Sequence, residues 1–383
     1  MKRNYIAKRF QNAGSGLTLD TEALAKYKDI IDLSIGDTDF ITDEGIINAA
    51  FRDAKAGYTR YGDPKGDPEL IDAVCRAWQE DFEQKLPHDH VLVSASSCLG
   101  MALVMFSIHD PGDEVIVFSP YFPMYRTQIE LAGGVCVDVP TYASEDYAID
   151  EARLRAAITP RTKAIIFNNP TNPTGMAYGN DTLEMLARVA KEYDLLIAAD
   201  EIYTTYLYEG DFRPLRTLPG MAERTITLNS FSKNFLMTGW RVGVIIAEPE
   251  LLEVMNDING SLIYTAPSIS QRAAIHALSM RREIREKYVT AYRDRIFYTA
   301  DRIEKIPYLS LVRPKGTFYL FPGIEKTGLT DDEFCNVLLD KAHVLVSHGK
   351  AFGTAGAGHF RIACTVGIDT LKIAFDRMEK LSF

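Results

Sequence analysis

NSFSKNFLMTGWRVG, residues 229–243, follows the apolar run TITL (225–228) and places Lys233 directly after what this run predicts to be a buried strand. Ser230 and Ser232 precede the lysine, and Arg241 follows it by eight residues. Small hydroxyls and two cations at the end of a core strand are costly to bury unless an anion lies beside them. The stretch therefore predicts an anion-binding site at the end of a buried strand.

The same strand is the last in a series of apolar runs. The runs are VLVSA (91–95), EVIVFSP (114–120), GVCVDVP (134–140), KAIIFNNP (163–170), LLIAADEIY (195–203) and TITLNSFS (225–232). Helical spacing lies between them, at 98–109, 121–132 and 181–193. Apolar strands separated by helices are typical of a parallel sheet covered on both sides. VGVIIAE (242–248) follows its predecessor too closely for a crossover helix, so we expect this strand to be antiparallel to its neighbours.

Beyond Pro267 the pattern changes. Residues 268–306 form one long helical pattern, straight or bent, with charge on one face, which predicts a spine that leads into a second, smaller domain. That domain is expected to hold the run LSLVRPKGTFYLFP (309–322), a helix near 330–342 and the strand-like HFRIACT (359–365). The sequence thus predicts an α/β fold with one large and one smaller domain.

Length and composition restrict the class of protein. A chain of 383 residues with 46% hydrophobic and 25% charged residues is globular and exceeds what one small core serves. Its net charge of −10 argues against nucleic acid as the main partner. No apolar run of about 18 residues and no apolar h-region in residues 1–14 is found, so we expect neither a membrane helix nor a signal peptide. The five scattered cysteines form no CxxC pair, which favours reduced thiols in the cytoplasm over a metal site.

Polar residues gather where the predicted strands end. The segments are SASSC, SPYF, NNPTNPTG, ADEIY and NSFSK. In open α/β sheets, ligands bind beyond the carboxyl ends of the strands. NNPTNPTG, ADEIY and SFSKNFLMTGWRVG, in that order, resemble the class I/II aminotransferases, which depend on pyridoxal 5'-phosphate (PLP). The resemblance extends from IGDTDF (35–40) to HFRIAC (359–364), nearly the whole chain.

The resemblance implies a particular architecture. The large PLP-binding domain, over residues 45–275, would hold a mostly parallel seven-stranded sheet between helices. The smaller α+β domain would be built from both chain ends, with an N-terminal segment (1–44) joining residues 276–383. Such proteins are homodimers with shared active sites, and their substrates are amino acids and 2-oxo acids.

The resemblance also implies catalytic roles. Lys233 matches the lysine that bonds to the aldehyde of PLP, which requires an amine that can lose its proton near other cations. Asp200 matches the carboxylate that pairs with the pyridine nitrogen, so that the ring can act as an electron sink. Asn172 and Tyr203 match the pair that donates hydrogen bonds to the phenolic oxygen.

Further residues match contacts to the phosphate, the ring and the substrate. The phosphate contacts are Ser96, Ser97, Cys98, Ser230 and Arg241, together with Tyr61, which would reach the phosphate of the neighbouring subunit. Backbone N–H groups at a helix start and a bidentate arginine both suit a phosphate. Phe122 matches the aromatic side chain that stacks on the ring. Arg361 matches the arginine that binds the substrate α-carboxylate, with Asn172 and the Gly36 backbone beside it.

Three other classes of protein share single features with this sequence. Residues 230–233 also form an S-x-x-K and 326–328 a K-T-G, as in penicillin-binding serine enzymes, but no S-D-N is present. A nicotinamide-binding enzyme would need a G-x-G-x-x-G after its first strand, and SASSCLG is not one. A non-catalytic PLP-binding regulator would carry a DNA-binding module, for which we expect no room before Gly36.

The cofactor contacts barely distinguish the reactions that this family performs. Transamination is the commonest, with β-elimination by C–S lyases and ring closure to aminocyclopropane carboxylate as alternatives. Where dicarboxylate-specific relatives carry a second cation, this chain has Cys98 and the neutral NGSLIY (259–264). We therefore expect an aromatic or aliphatic amino donor, with Tyr125 and Tyr264 as candidate lining.

Overall fold

The computed structural model describes residues 5–7 and 27–383. Its strands are β1 (Ile31–Asp32), β2 (Val91–Ser94), β3 (Glu114–Ser119), β4 (Val135–Pro140), β5 (Thr162–Asn168), β6 (Leu196–Asp200), β7 (Thr225–Ser230), β8 (Gly243–Ile246), β9 (Tyr319–Leu320), β10 (Val344–Leu345), β11 (Ser347–His348) and β12 (Phe360–Ala363). Its α-helices are α1 (Glu44–Lys55), α2 (Pro68–Phe82), α3 (Ser97–Ile108), α4 (Met124–Leu131), α5 (Glu151–Ala157), α6 (Asn180–Glu192), α7 (Phe231–Asn234), α8 (Pro249–Leu262), α9 (Ser268–Ser279), α10 (Arg281–Ile303), α11 (Asp331–Val337) and α12 (Ile368–Met378).

A seven-stranded sheet forms the centre of the α/β fold, with strand order β2-β8-β7-β6-β5-β3-β4. The pairs among β3 to β7 are parallel, whereas β8 is antiparallel to both β2 and β7. The antiparallel prediction is therefore confirmed: too few residues separate β7 from β8 for a crossover helix. The register pairs Asn168 with Asp200 and Ser230 with Gly243, which aligns the polar strand ends along one edge.

Both faces of this sheet are covered, as the doubly apolar strands predict. On one face, Leu92, Ile166 and Ile245 pack in a core with α3 and α8. On the other face, Ile165 and Ile197 pack with α6. α3 (SCLGMALVMFSI) is apolar on nearly every side because it lies between the sheet and α8.

A second core combines residues from both ends of the described chain. Ile31 and Leu33 pack with residues of α10, α11 and α12. Two small sheets accompany it: β1 pairs with β10 in parallel, and β12 lies between β11 and β9. These contacts support the division that we propose, into residues 45–275 and a smaller unit of 1–44 plus 276–383. Residues 1–4 and 8–26 of that division lie outside the described residues.

Two details differ from the sequence-based expectations. The long helical pattern at 268–306 is two helices, because α9 ends and α10 begins at Met280. The helix expected near 330–342 is α-helical only to Val337 and continues in wider π-type turns to Ala342. Across the described residues, no helix is long and apolar enough to cross a membrane.

Candidate active site

A cavity of about 570 Å³ opens at the carboxyl edge of the large sheet, between it and the smaller core. Twelve of the thirteen residues proposed for the site line this cavity. They are Gly36, Ser96, Ser97, Cys98, Phe122, Asn172, Asp200, Tyr203, Ser230, Lys233, Arg241 and Arg361. The thirteenth, Tyr61, does not.

Lys233 lies in the single turn α7, which begins where β7 ends. The Ser230 hydroxyl caps this turn by accepting a hydrogen bond from the backbone N–H of Ser232 (3.1 Å). The half-buried Lys233 side chain reaches across the cavity, where its ammonium donates to the carbonyl oxygen of Gly36. A Cβ at Gly36 would lie 1.8 Å from the Tyr319 hydroxyl oxygen, so only glycine fits there. The absence of a side chain at Gly36 thus lets its backbone lie directly against Tyr319 in the cavity wall.

Asp200 ends β6 and is only 7% exposed. Its Oδ2 atom accepts a hydrogen bond from the Tyr125 hydroxyl, while its Oδ1 atom is buried without a partner among the described residues. Burial raises the pKa of Asp200 to about 6, against the opposing effect of the Tyr125 hydrogen bond. A buried carboxylate oxygen without a donor is costly, so Oδ1 is suited to a protonated ligand atom in the cavity.

Asn172 and Tyr203 lie just beyond the ends of the neighbouring strands β5 and β6. The side chain of Asn168 fixes both ends, since its amide nitrogen donates to the Asp200 carbonyl (2.8 Å) and its oxygen accepts from the Asn172 N–H (2.8 Å). The Tyr203 hydroxyl donates to that of Tyr319 (3.2 Å). Burial raises the pKa of Tyr203 well above its usual value, so the hydroxyl stays protonated. The two side chains thus present an amide and a hydroxyl as donors.

Arg361 is a buried cation in β12, with 3% exposure. Its Nη1 atom donates to the side-chain oxygen of Asn172 (3.0 Å), and Nη2 donates to the carbonyl oxygen of Ser34 (2.6 Å). Its Nε atom has no partner, and no carboxylate pairs with it, among the residues that the structure describes. Burial lowers the pKa of Arg361, and an unpaired buried guanidinium is costly. Within the described residues, no salt bridge therefore compensates for the burial of Arg361.

The end of the cavity at the start of α3 offers hydrogen-bond donors for an anion. Ser96 caps α3 through its hydroxyl, which accepts from the Leu99 N–H (3.1 Å). The first N–H groups of α3, at Ser97 and Cys98, point out of the helix, as at every helix N-terminus. Ser96 has a φ of 131°, which residues with side chains rarely adopt and which is concentrated at functional sites. A Cβ at Gly243 would lie 2.7 Å from the Ser97 nitrogen, so this glycine lets β8 approach the turn.

Arg241 completes that end of the cavity. It is exposed, and its Nη1 atom donates to the carbonyl oxygen of Thr238 (2.8 Å) and lies 3.4 Å from the Ser232 hydroxyl. The half-buried Phe122 lies on the neighbouring wall, edge-on to Tyr125 with ring centroids 5.7 Å apart. The cavity therefore has hydrogen-bond donors and an arginine at one end, an aromatic wall, a buried carboxylate and an amine.

Comparison with known proteins decides the family. A family model described as aminotransferase class I and II matches residues 28–378. The chain belongs to this family. It is 36% identical to an aspartate aminotransferase of Pyrococcus abyssi over 373 residues, covering 93% of this chain and 92% of the relative. It is 35% identical to aromatic-amino-acid aminotransferase 2 of Thermococcus litoralis, covering 92% and 91% of the two chains.

Solved structures agree with this assignment. The structure of aspartate aminotransferase from Thermus thermophilus with maleate matches with a TM-score of 0.93 at 32% identity, covering 99% of this chain and 100% of that one. The chain is therefore an aminotransferase of the class I and II family, and membership implies PLP as the cofactor. The mostly parallel seven-stranded α/β fold is also that of these structures.

Tyr61 stands apart from the aminotransferase cavity. It is 84% exposed, and its ring packs edge-on against Tyr264 with centroids 5.2 Å apart. The Ser268 hydroxyl donates to the Arg60 carbonyl (2.5 Å), which holds this loop against α9. Tyr264 does not line the cavity either, contrary to the expectation that it is part of the lining.

Some contacts and cavity residues of this aminotransferase were missed from sequence. Tyr125 was predicted as candidate lining and does line the cavity, but its hydrogen bond to Asp200 was not predicted. Tyr319 and Gln128 were not singled out, although both line the cavity. In the sequence, only the spacing of Tyr125 after the strand end SPYF could have indicated its contact with Asp200. The K-T-G at 326–328 lies in a 3₁₀ turn of the smaller core, away from the cavity, which leaves the serine-enzyme interpretation without its second motif.

Proposed function

We propose that the chain binds PLP in this cavity and moves an amino group from an L-amino acid, aromatic or aliphatic by preference, to a 2-oxo acid. The observation that carries the proposal is the placement of Lys233, the unpartnered Oδ1 atom of Asp200 and the unpaired Arg361 around one cavity. These groups are separated widely in sequence, and each is costly to bury without a ligand.

The residues fit PLP in charge and in shape. An anion such as a phosphate suits the start of α3 together with Ser230 and Arg241. A protonated pyridine nitrogen suits the Oδ1 atom of Asp200, which has no donor of its own in the described chain. Phe122 supplies an aromatic face, and Asn172 with Tyr203 supplies donors for a phenolic oxygen. When bound, PLP would supply an electron sink for carbanion chemistry.

The chain's own residues then have distinct tasks. Lys233 is the amine that can take up an aldehyde, and once displaced it can accept a proton from the substrate carbon. Arg361 lies in β12 opposite the sheet edge, with its planar fork suited to an α-carboxylate. Its hydrogen bond to Asn172 fixes the guanidinium relative to the cofactor's end of the cavity. Closing the cavity with the N-terminal segment at Ser34–Asp37 would exclude water.

The substrate preference is argued from the charges of the lining. Lys233, Arg241 and Arg361 are the lysine and arginine side chains lining the cavity within the described residues, and each has a task already. His348 also lines it, but Asp332 holds its imidazole through a 2.7 Å hydrogen bond. A second substrate carboxylate would therefore lack a fixed cation, which supports aromatic or aliphatic donors. The relatives do not decide the point, since they include both an aspartate and an aromatic-amino-acid aminotransferase.

We further propose a cytoplasmic homodimer in which Tyr61 reaches the phosphate of the partner's site. Tyr61 and Tyr264 form an exposed pair beside the start of α9, outside the cavity of their own subunit. This exposed pair supports the dimer. The five cysteines are free, which suits a reducing compartment.

A panel of amino donors tests the reaction and the preference together. The purified enzyme with PLP is mixed with each donor and an oxo acid, and the products are identified. We expect a new amino acid from phenylalanine or leucine without release of ammonia or thiol. Pyruvate and ammonia from cystathionine, with no transfer to any oxo acid, would instead establish a C–S β-lyase. A kcat/KM for aspartate well above that for phenylalanine or leucine would overturn the preference alone.

A further inference from the structure

The hydrogen bond from Tyr125 to Asp200 links α4 to the end of β6. The Tyr125 side chain is buried, with 2% exposure, and its hydroxyl donates to the Oδ2 atom of Asp200. The other carboxylate oxygen, Oδ1, has no partner among the described residues. The two oxygens of Asp200 are thereby made different: Oδ2 has a side-chain donor, and the buried Oδ1 has none.

The hydroxyl is not needed to attach α4 to the rest of the domain. One turn after Tyr125, the Gln128 amide nitrogen donates to the Cys98 carbonyl (2.8 Å), and Ile129 is buried in the core between α4, α3 and the sheet. A phenylalanine at 125 would retain the aromatic packing against Phe122 and lose only the donor. The hydroxyl is therefore free to act on Asp200 without a structural role in holding the helix.

Loss of that donor would change the carboxylate in two ways. Oδ2 would become a second buried anionic oxygen without a partner, which is costly. The carboxylate would also be held less firmly, because no other side chain in the described residues donates to it and the Ile202 backbone N–H would be its remaining donor. Burial already raises the pKa of Asp200, and the Tyr125 hydrogen bond opposes this effect.

We propose that Tyr125 is a positioning residue, whose hydroxyl holds the Asp200 carboxylate through Oδ2 and so leaves Oδ1 to pair with the protonated ring nitrogen of PLP. The inference rests on the proposed function, because it concerns the same cofactor. Tyr125 also lines the cavity, and the role inferred for its hydroxyl acts through Asp200.

The test compares two ligands that differ in one ring atom. The dissociation constants of PLP and of its 1-deaza analogue, in which carbon replaces the pyridine nitrogen, are measured for the wild type and Tyr125→Phe. In Tyr125→Phe, the constant for PLP should rise roughly 10-fold, as expected when a hydrogen bond to a charged group is lost. The constant for the deaza analogue should change by less than about twofold, the scatter of neutral substitutions.

Tyr147→Phe is the matched control. Tyr147 is also a buried tyrosine, its hydroxyl has no partner among the described residues, and it packs near Phe321 and Phe352 away from the cavity. This variant should bind both ligands like the wild type.

The outcomes separate the inference from the function on which it rests. Equal loss of affinity for both ligands in Tyr125→Phe would show a general packing defect and overturn the positioning role, as would unchanged PLP affinity. Failure of the wild type to bind PLP would overturn the proposed function itself.

Discussion

The ammonium of Lys233 donates a hydrogen bond to the backbone carbonyl oxygen of Gly36, so one side chain joins the end of β7 to the N-terminal segment across the cavity. Gly36 in turn lies against the Tyr319 hydroxyl, where no side chain would fit. The Lys233 amine therefore lies where three parts of the sequence, far apart in the chain, meet.

The identity of that amine can be tested by chemical labelling. Borohydride reduction of the enzyme with PLP should attach the cofactor permanently to Lys233, because a reduced carbon–nitrogen double bond is a stable amine. Peptide mapping by mass spectrometry locates the label. Lys233→Ala, treated in the same way, should carry none. A label on any other lysine would contradict the assignment.

Asp200→Ala should separate cofactor binding from catalysis. PLP should remain bound through the contacts at its phosphate end, while kcat should fall roughly 100-fold or more, the loss seen when a group that stabilises developing charge is removed. Bound PLP is followed by absorbance and turnover by amino acid analysis. Asp211→Ala, in the loop after β6, serves as the control. Turnover at the wild-type rate in Asp200→Ala would mean that another acid serves the ring.

Arg361→Lys should weaken every amino donor. A lysine retains the charge but cannot form the two parallel hydrogen bonds of the guanidinium, so KM should rise roughly 10-fold, the cost of a lost hydrogen bond to a charged group. Steady-state kinetics with phenylalanine, leucine and aspartate measure the effect. Arg313→Lys, in an exposed ion pair with Glu304, should leave KM unchanged. A rise for one donor alone would place Arg361 at the substrate side chain instead of the shared carboxylate.

The proposed homodimer with shared active sites predicts recovery of activity by mixing two variants. Tyr61→Phe should weaken PLP affinity because a donor to the partner's phosphate is lost, whereas Tyr193→Phe, a surface tyrosine beside Arg155, should not. When dimers of Tyr61→Ala and of Lys233→Ala exchange subunits, one site of each mixed dimer has both residues intact and should be active. Full activity in a verified monomer would refute the arrangement.

Glu201 predicts how stability depends on pH. It is 2% exposed, its Oε1 atom accepts from the Leu215 N–H (2.9 Å), and burial raises its pKa to about 8. Between its ordinary pKa of 4.5 and about 8, the unfolded chain releases this proton and the folded chain keeps it. Stability should therefore fall as pH rises through that window, by several kcal/mol in total.

Glu201→Gln retains an acceptor for the Leu215 N–H and has no proton to lose. Melting curves from pH 6.5 to 9 should show that this variant loses less stability than the wild type. The exposed Glu209→Gln should follow the wild type. Parallel curves for Glu201→Gln and the wild type would show that Glu201 does not titrate in this range.

Sequence sufficed for the parts of the fold that local patterns determine. The strands and the antiparallel direction of β8 were predicted because apolar runs and a short connection are visible within a few residues. A bend within 268–306 was left open, but the division into two helices at Met280 was not predicted, since no proline or glycine marks it. Most site residues were named correctly as cavity lining because they follow strand ends, and strand ends share one edge of the sheet.

Contacts between residues that lie far apart in the chain could not be predicted from the sequence. Tyr125 and Asp200 are 75 positions apart, and Tyr203 and Tyr319 are 116 apart. A tyrosine that bonds to a catalytic acid has the same local pattern as one that fills a core. Only the packing of α4 and β9 against the sheet edge reveals these partners.

The position of Arg361 in β12 has a consequence for synthesis on the ribosome. Translation proceeds from the N-terminus, so β6, which ends at Asp200, and α7, which holds Lys233, leave the ribosome well before β12. The growing chain therefore contains the acid and the amine proposed for the site before the arginine proposed for the substrate carboxylate has been added. With these proposed roles, free amino acids around the ribosome meet a polypeptide that cannot bind them at this site until translation is almost complete.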